Sequence, residues 1–194
     1  ESRIAACRFL HAAYVDMDSP RKRPSPFDKR RVVPALLAAL KTSNQELLVD
    51  VLSLLSSWSS KAAVPALLRL VADRGQDDYV RSYAIYVVAG SYDQRVVHPL
   101  IVIADDSTEP EKVRGDAIEQ LKHLVTGDDE TMYIRNCIRW LSDQSAEVRF
   151  WASFGLVGKE TSPLFAEAVP ALEHIVGNDH TLPKTFWHVD REAV

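Results

Sequence analysis

The chain has 194 residues, is 46% hydrophobic and carries a formal charge of −4. No apolar run approaches the ~20 residues of a membrane-spanning helix. Cys7 and Cys137 are far apart with no CxxC spacing, which gives neither a disulfide framework nor a thiolate metal site and suits a reducing compartment, the cytoplasm. The net negative charge counts against nucleic-acid binding by the whole body. Residues 1–97 hold 14 Lys/Arg and 10 Asp/Glu, and residues 98–194 hold 9 and 17, so acidity gathers toward the C-terminal end.

In chain order, residues 1–15 have the pattern of a helix. Residues 17–31 follow as a basic, Pro-punctuated loop with Arg21, Lys22, Arg23, Lys29, Arg30 and Arg31. This loop is expected to be a solvated connection, with phosphate contact as the alternative. Helix pairs are then predicted at 31–41 with 44–57, 62–73 with 77–90, 95–105 with 110–126, 130–142 with 145–157, and 164–177 with a last helix near Trp187. Ser43, Asp77, Asp128 and Asp143 or Ser145 are the predicted N-caps. Pro34, Pro65, Pro99 and Pro170 are placed in the first turns of the leading (A) helices, where a missing amide hydrogen costs little.

The phrase VVPALLAAL from Val32 returns as VPALLRLV from Val64, VVHPLIVIA from Val96 and AVPALEHIV from Ala168. A second phrase recurs in the trailing (B) helices, as DDYVRSYA around Val80, PEKVRGDA around Val113 and SAEVRFWA around Val148. Pro34 to Pro65 is 31 residues, Pro65 to Pro99 34, Val80 to Val113 33 and Val113 to Val148 35, each long enough for two short helices and their turns. Val80, Ala84 and Val87 share a face, as do Val113, Ala117 and Leu121, and Val148, Ala152 and Leu156. No pair can bury that face alone, so stacking is required. Residues 1–194 are therefore expected to form one all-α domain, a right-handed α-solenoid of about five helix pairs, with the clear repeats at 32–178 and the start of a further helix at 179–194. The chain opens on Glu1 and its pattern stops inside an apparent helix, as a segment of a longer stack would.

These phrases resemble the HEAT-repeat family, in the bacterial PBS-lyase HEAT-like variety. A proline opens helix A, and Asp-x-Val-Arg-x-x-Ala in helix B is matched by Asp78, Val80, Arg81 and Ala84, and without the Asp by Val113, Arg114 and Ala117 and by Val148, Arg149 and Ala152. The first pair departs, with Leu48 in place of the arginine, and the pair starting near Thr131 lacks the helix A proline. The resemblance implies a B-helix-lined concave surface, and arginines Arg81, Arg114 and Arg149 that bridge to a carboxylate or carbonyl of a neighbouring turn. An anion-binding ladder is the alternative for these arginines.

Superposing the B helices sets Tyr83 level with Asp116 and Trp151, Tyr86 with Glu119 and Phe154, and Ser82 with Gly115 and Phe150. Tyr83, Tyr86, Asp116, Glu119, Trp151 and Phe154 are the candidate partner-binding residues: aromatic and acidic groups in alternation suit a basic peptide or helix. Core packing is the competing reading for the aromatics.

No catalytic residue, metal site or cofactor is assigned. Enzymes of the resembled family that hold two irons use repeated His-Glu pairs, and this sequence has no His-Glu dipeptide. The expected function is a non-enzymatic protein-interaction scaffold or adaptor, with no membrane association. The alternatives are a lyase-type or other accessory subunit that positions a cofactor or substrate for a partner enzyme, and a nucleic-acid-binding HEAT-like protein.

Overall fold

A computed structural model describes residues 29–58 and 61–179. The expected N-terminal helix at 1–15, most of the basic loop and the last helix near Trp187 lie outside the described residues. The chain divides into two compact units, Glu1–Asp93 and Gln94–Val194. All nine α-helices among the described residues fall where the hydrophobic periodicity places them, and no strand accompanies them.

The first unit contains α1 (Lys29–Ala39), α2 (Gln45–Trp58), α3 (Val64–Ala72) and α4 (Asp78–Ala89). α1 packs on α2, α3 on α4, and α2 on α4, so the two trailing helices of this unit each touch their own mate and one another. The amphipathic spacing explains why. α2 buries Leu47, Leu48, Val51, Leu52, Leu54, Leu55 and Trp58, while α4 buries Val80, Ala84, Ile85, Val87 and Val88. Each fully buried leucine contributes roughly 1.5–3 kcal/mol. Leu48 occupies the fourth position of its helix, as Arg81 does in α4, and both are buried. The position is interior in both pairs, so an apolar residue can replace the arginine.

The second unit contains α5 (Val97–Asp105), α6 (Glu111–Leu124), α7 (Asp128–Trp140), α8 (Ala146–Leu156) and α9 (Phe165–Asn178). α5 packs on α6, α7 on α8 and α6 on α8, repeating the pattern of the first unit, and α9 packs on α7. Small residues bring these helices close. An added Cβ at Gly115 of α6 would stand 2.6 Å from Trp151 Cδ1, and one at Gly155 of α8 would stand 2.8 Å from Cys137 Sγ. The ends of the leading helices are tied as well: Arg139 Nη2 and Trp140 Nε1 each donate to Asp105 Oδ1 at 2.7 Å. Within each unit this is the packing of a helical repeat.

Several local expectations are corrected. The basic loop ends before Lys29, because α1 starts there and takes in Lys29, Arg30 and Arg31. The cap of α2 is Asn44, whose Oδ1 accepts from Leu47 N–H at 2.9 Å, and not Ser43, which lies one residue too early. Asp128 is the first residue of α7, and the cap position is held instead by Gly127, with φ 58°. Asp77 caps α4 by accepting from Tyr79 N–H at 2.9 Å, and Ser145 caps α8 through Val148 N–H at 3.4 Å. Pro34 and Pro170 each sit five residues after the first residue of their helix, so each removes one hydrogen bond from an established turn. Pro65 lies at the helix start, as expected.

Candidate partner-binding face

The recurrent arginine position serves the interior. Arg81 and Arg114 are 1% and 5% exposed. Arg81 Nε donates to Val71 O at 2.8 Å, and Arg114 Nε to Ala104 O at 2.9 Å. Both carbonyls lie ten residues back, in the last turn of the preceding helix, where backbone oxygens lack helical donors. The Arg114 fork then reaches Asp143, with Nη1–Oδ1 at 3.2 Å and Nη2–Oδ2 at 2.6 Å. Arg149 follows a variant of this scheme. Its Nε donates to Asp179 Oδ2 at 2.6 Å, and its Nη1 donates to the carbonyls of Asp143 and Gln144, both at 2.8 Å. Burial alone would raise the Asp143 pKa, but hydrogen bonds from Arg114 and from Ser145 N–H, with the charges of Arg114 and Arg149, hold it below the usual carboxylate value. Forked pairs of this kind fix geometry between successive helix pairs.

In the first unit, Tyr83 and Tyr86 belong to a longer row. Tyr79, Tyr83 and Tyr86 follow one another at i, i+4 and i+7 on α4, with ring centroids 6.3 and 6.2 Å apart. Tyr79 and Tyr86 are 59% and 57% exposed, and Tyr83 between them is half-buried. The valine–alanine face of the same helix is interior, so the tyrosines are surplus to the core. Exposed carboxylates stand at the N-terminal end of the row: Asp77, which caps α4, and Asp78. Tyr79 escaped the superposition because its level in the other B helices is held by Lys112 and Glu147.

In the second unit, Trp151 and Phe154 of α8 lie against α6, which carries Asp116 and Glu119. Trp151 covers Gly115, donates from Nε1 to Glu147 Oε1 at 2.9 Å, and meets Phe150 and Phe154 edge-on at 5.1 and 5.5 Å. Cations of the chain already occupy this face. Lys112 Nζ donates to Asp116 Oδ1 and Oδ2 at 3.1 and 3.0 Å. Lys122 Nζ sits 3.9 Å from the Phe154 ring centroid and donates to Phe154 O at 2.6 Å. Lys122 was not legible as a site residue, since its partner is 32 positions away. Glu119 is half-buried, and desolvation raises its pKa, with the nearby Asp116 charge adding to the effect.

The third superposed row does not belong to a surface. Ser82 is 8% and Phe150 3% exposed, and Gly115 is buried beneath Trp151, so this row is interior. Among the described residues, no group of three or more His, Cys, Asp or Glu is placed to hold a metal ion. No helix among them is long and apolar enough to cross a membrane. Compared with known proteins, the chain matches no family model and is similar to no curated protein.

Proposed function

We propose that the protein is a HEAT-like, right-handed α-solenoid of about five helix pairs that works in the cytoplasm as a non-enzymatic scaffold, holding a basic segment of a partner protein against its trailing helices. The observation that carries this reading is the tyrosine row on α4. Tyr79 and Tyr86 keep more than half of their surface in water although apolar positions are plentiful in the adjacent core. Large aromatic side chains left in water on a rigid helix are typical of recognition surfaces, because they bring contact area at low entropic cost. Ring faces with Asp77 and Asp78 at one end favour a Lys- or Arg-bearing segment through cation–π and charge contacts. The second-unit face contributes less to this selectivity, because Lys112 and Lys122 already engage Asp116 and Phe154.

The test is fluorescence anisotropy with labelled peptides in which lysine alternates with leucine, against a matched series carrying glutamate for lysine. The lysine series is expected to bind, and Tyr79→Ser/Tyr86→Ser to weaken it at least fivefold with the fold intact. Equal binding of both series, or no effect of the tyrosine substitutions, refutes the proposal.

A further inference from the structure

The trailing helices of the two units differ at one place. α2, α4, α6 and α8 share a register, since Leu48, Arg81, Arg114 and Arg149 each stand fourth in their helix. Position nine is then Tyr86 in α4 and Phe154 in α8, the last aromatic of each row. α2 packs on α4 as α6 packs on α8, and position twelve of the packing helix is Ser56 in the first unit and Lys122 in the second. Lys122 fills its place: Nζ lies 3.9 Å from the Phe154 ring centroid and donates to Phe154 O, in the last turn of α8, at 2.6 Å. Ser56 leaves its place open. Its Oγ donates to Ser53 O at 2.7 Å within α2, and α2 carries no lysine or arginine at any position. Tyr86 is 57% exposed, whereas Phe154 is half-buried.

An ammonium over an aromatic face is the contact through which a lysine of a basic segment would engage Tyr86. In the second unit the chain sets its own ammonium on the equivalent ring. We infer that Lys122 closes the second unit to basic segments by occupying the Phe154 seat, and that Ser56 at the same position of α2 leaves Tyr86 open, so that position twelve decides which unit recognises the partner. The inference rests on the tyrosine row as the recognition surface, but its central test is scored without that row. Shortening Lys122 would leave the Phe154 ring, its carbonyl and the half-buried Glu119, three residues before Lys122 on α6, for an incoming lysine or arginine. Asp116 stays engaged by Lys112.

The test uses the full chain carrying Tyr79→Ser/Tyr86→Ser, which silences the first-unit row, and the labelled lysine–leucine and glutamate–leucine peptides. Adding Lys122→Ser is expected to raise affinity for the lysine series at least fivefold and to leave the glutamate series unchanged. Lys122→Arg, which keeps a cation on the ring, should give no gain, and Phe154→Leu added to Lys122→Ser should remove it. Lys122→Ala, a better helix former, replaces the serine variant if the urea midpoint shows that serine loosens the unit. In the chain with its tyrosines intact, Ser56→Lys is expected to weaken the lysine series at least fivefold. No gain in a folded Lys122 variant overturns the proposal, as does a gain that survives Phe154→Leu, which assigns it to net charge. A Ser56→Lys chain that still binds through its tyrosines at full strength overturns it as well. Parent binding that ignores the tyrosine substitutions refutes the tyrosine reading alone, and the Lys122 variants then decide the inference.

Discussion

Replacing Gly155 by alanine tests how closely the helices of the second unit approach. The site favours alanine on propensity alone, since a glycine within a helix costs up to about 1 kcal/mol relative to alanine. The neighbours decide otherwise. A methyl group there would fall within the contact shell of Tyr133 Oη, 2.8 Å from Cys137 Sγ and 3.1 Å from Tyr133 Cζ. Tyr133 and Cys137 are both 0% exposed, so neither side chain can swing into solvent. Overpacking of this kind costs about 1–3 kcal/mol. Displacing the tyrosine also breaks its bond to Ile118 O (3.2 Å) and strands a buried hydroxyl, at about 1–3 kcal/mol. Subtracting the propensity gain leaves a net loss of about 1–5 kcal/mol, which at ~2 kcal/mol per molar lowers the urea midpoint by roughly 0.5–2.5 M. Tyr133→Phe removes the nearest clashing atom, so combining the substitutions should recover about 1–2 kcal/mol of the summed losses. Equal stability of Gly155→Ala and the parent chain, or strict additivity of the pair, would refute the close approach of α7 and α8.

Two carboxylates should respond to pH in opposite senses. Asp143 has a depressed pKa, so its stabilisation is present above the unfolded carboxylate range near ~4 and is lost as pH falls through the lower folded value. The urea-midpoint gap between the parent chain and Asp143→Asn should therefore be widest at neutral pH and close in acid; a gap unchanged down to pH 2 contradicts the Arg114 pairing. Glu119 has a raised pKa, so its ionised form opposes folding at neutral pH, and the opposition is lifted as pH falls through that raised value. Glu119→Gln should be the more stable form at pH 7, with an advantage that shrinks in acid, and a less stable variant at pH 7 would count against the desolvation argument. Burial pushes the Cys137 thiol up to about 12. In a Cys7→Ser background it should stay unlabelled by a disulfide reagent at pH 8 until denaturant opens the unit, and rapid native labelling would place it elsewhere.

The helices were legible because their signal is the spacing of apolar residues, which stacking then satisfies. Leu48 is the clearest case: it breaks the arginine phrase yet keeps the interior position, since burial and not charge is common to the two pairs. Contacts decided by distant residues were not legible. The superposition set Gly115 level with Ser82 and Phe150 without placing that row, and it is interior because Trp151, 36 positions after Gly115, lies across the glycine. The cap moved from Ser43 to Asn44 because a side-chain oxygen must reach the amide three residues on, and α2 begins one residue later than the periodicity indicates. Nothing in the spacing singles out Lys122, because its approach to Phe154 exists only once α6 and α8 are packed.

The B-helix phrase therefore places two separate rows on one helix. Position four faces the neighbouring turn: in Arg81 and Arg114 the guanidinium Nε caps a helix-end carbonyl, and in Arg114 the fork goes on to join successive pairs. Substitution there should be read as loss of stability. Positions two, six and nine of α4, occupied by Tyr79, Tyr83 and Tyr86, lie off the buried face, with ring centroids 6.3 and 6.2 Å apart along the row. An exposed tyrosine changed to serine should move stability by no more than about 0.5 kcal/mol. The two rows are thus separable by experiment on a single helix: a change at Arg81 should unfold, while a change at Tyr86 should alter only what the surface holds. A Tyr86 variant that unfolds the first unit would return the tyrosine row to the core and remove the basis for a recognition surface.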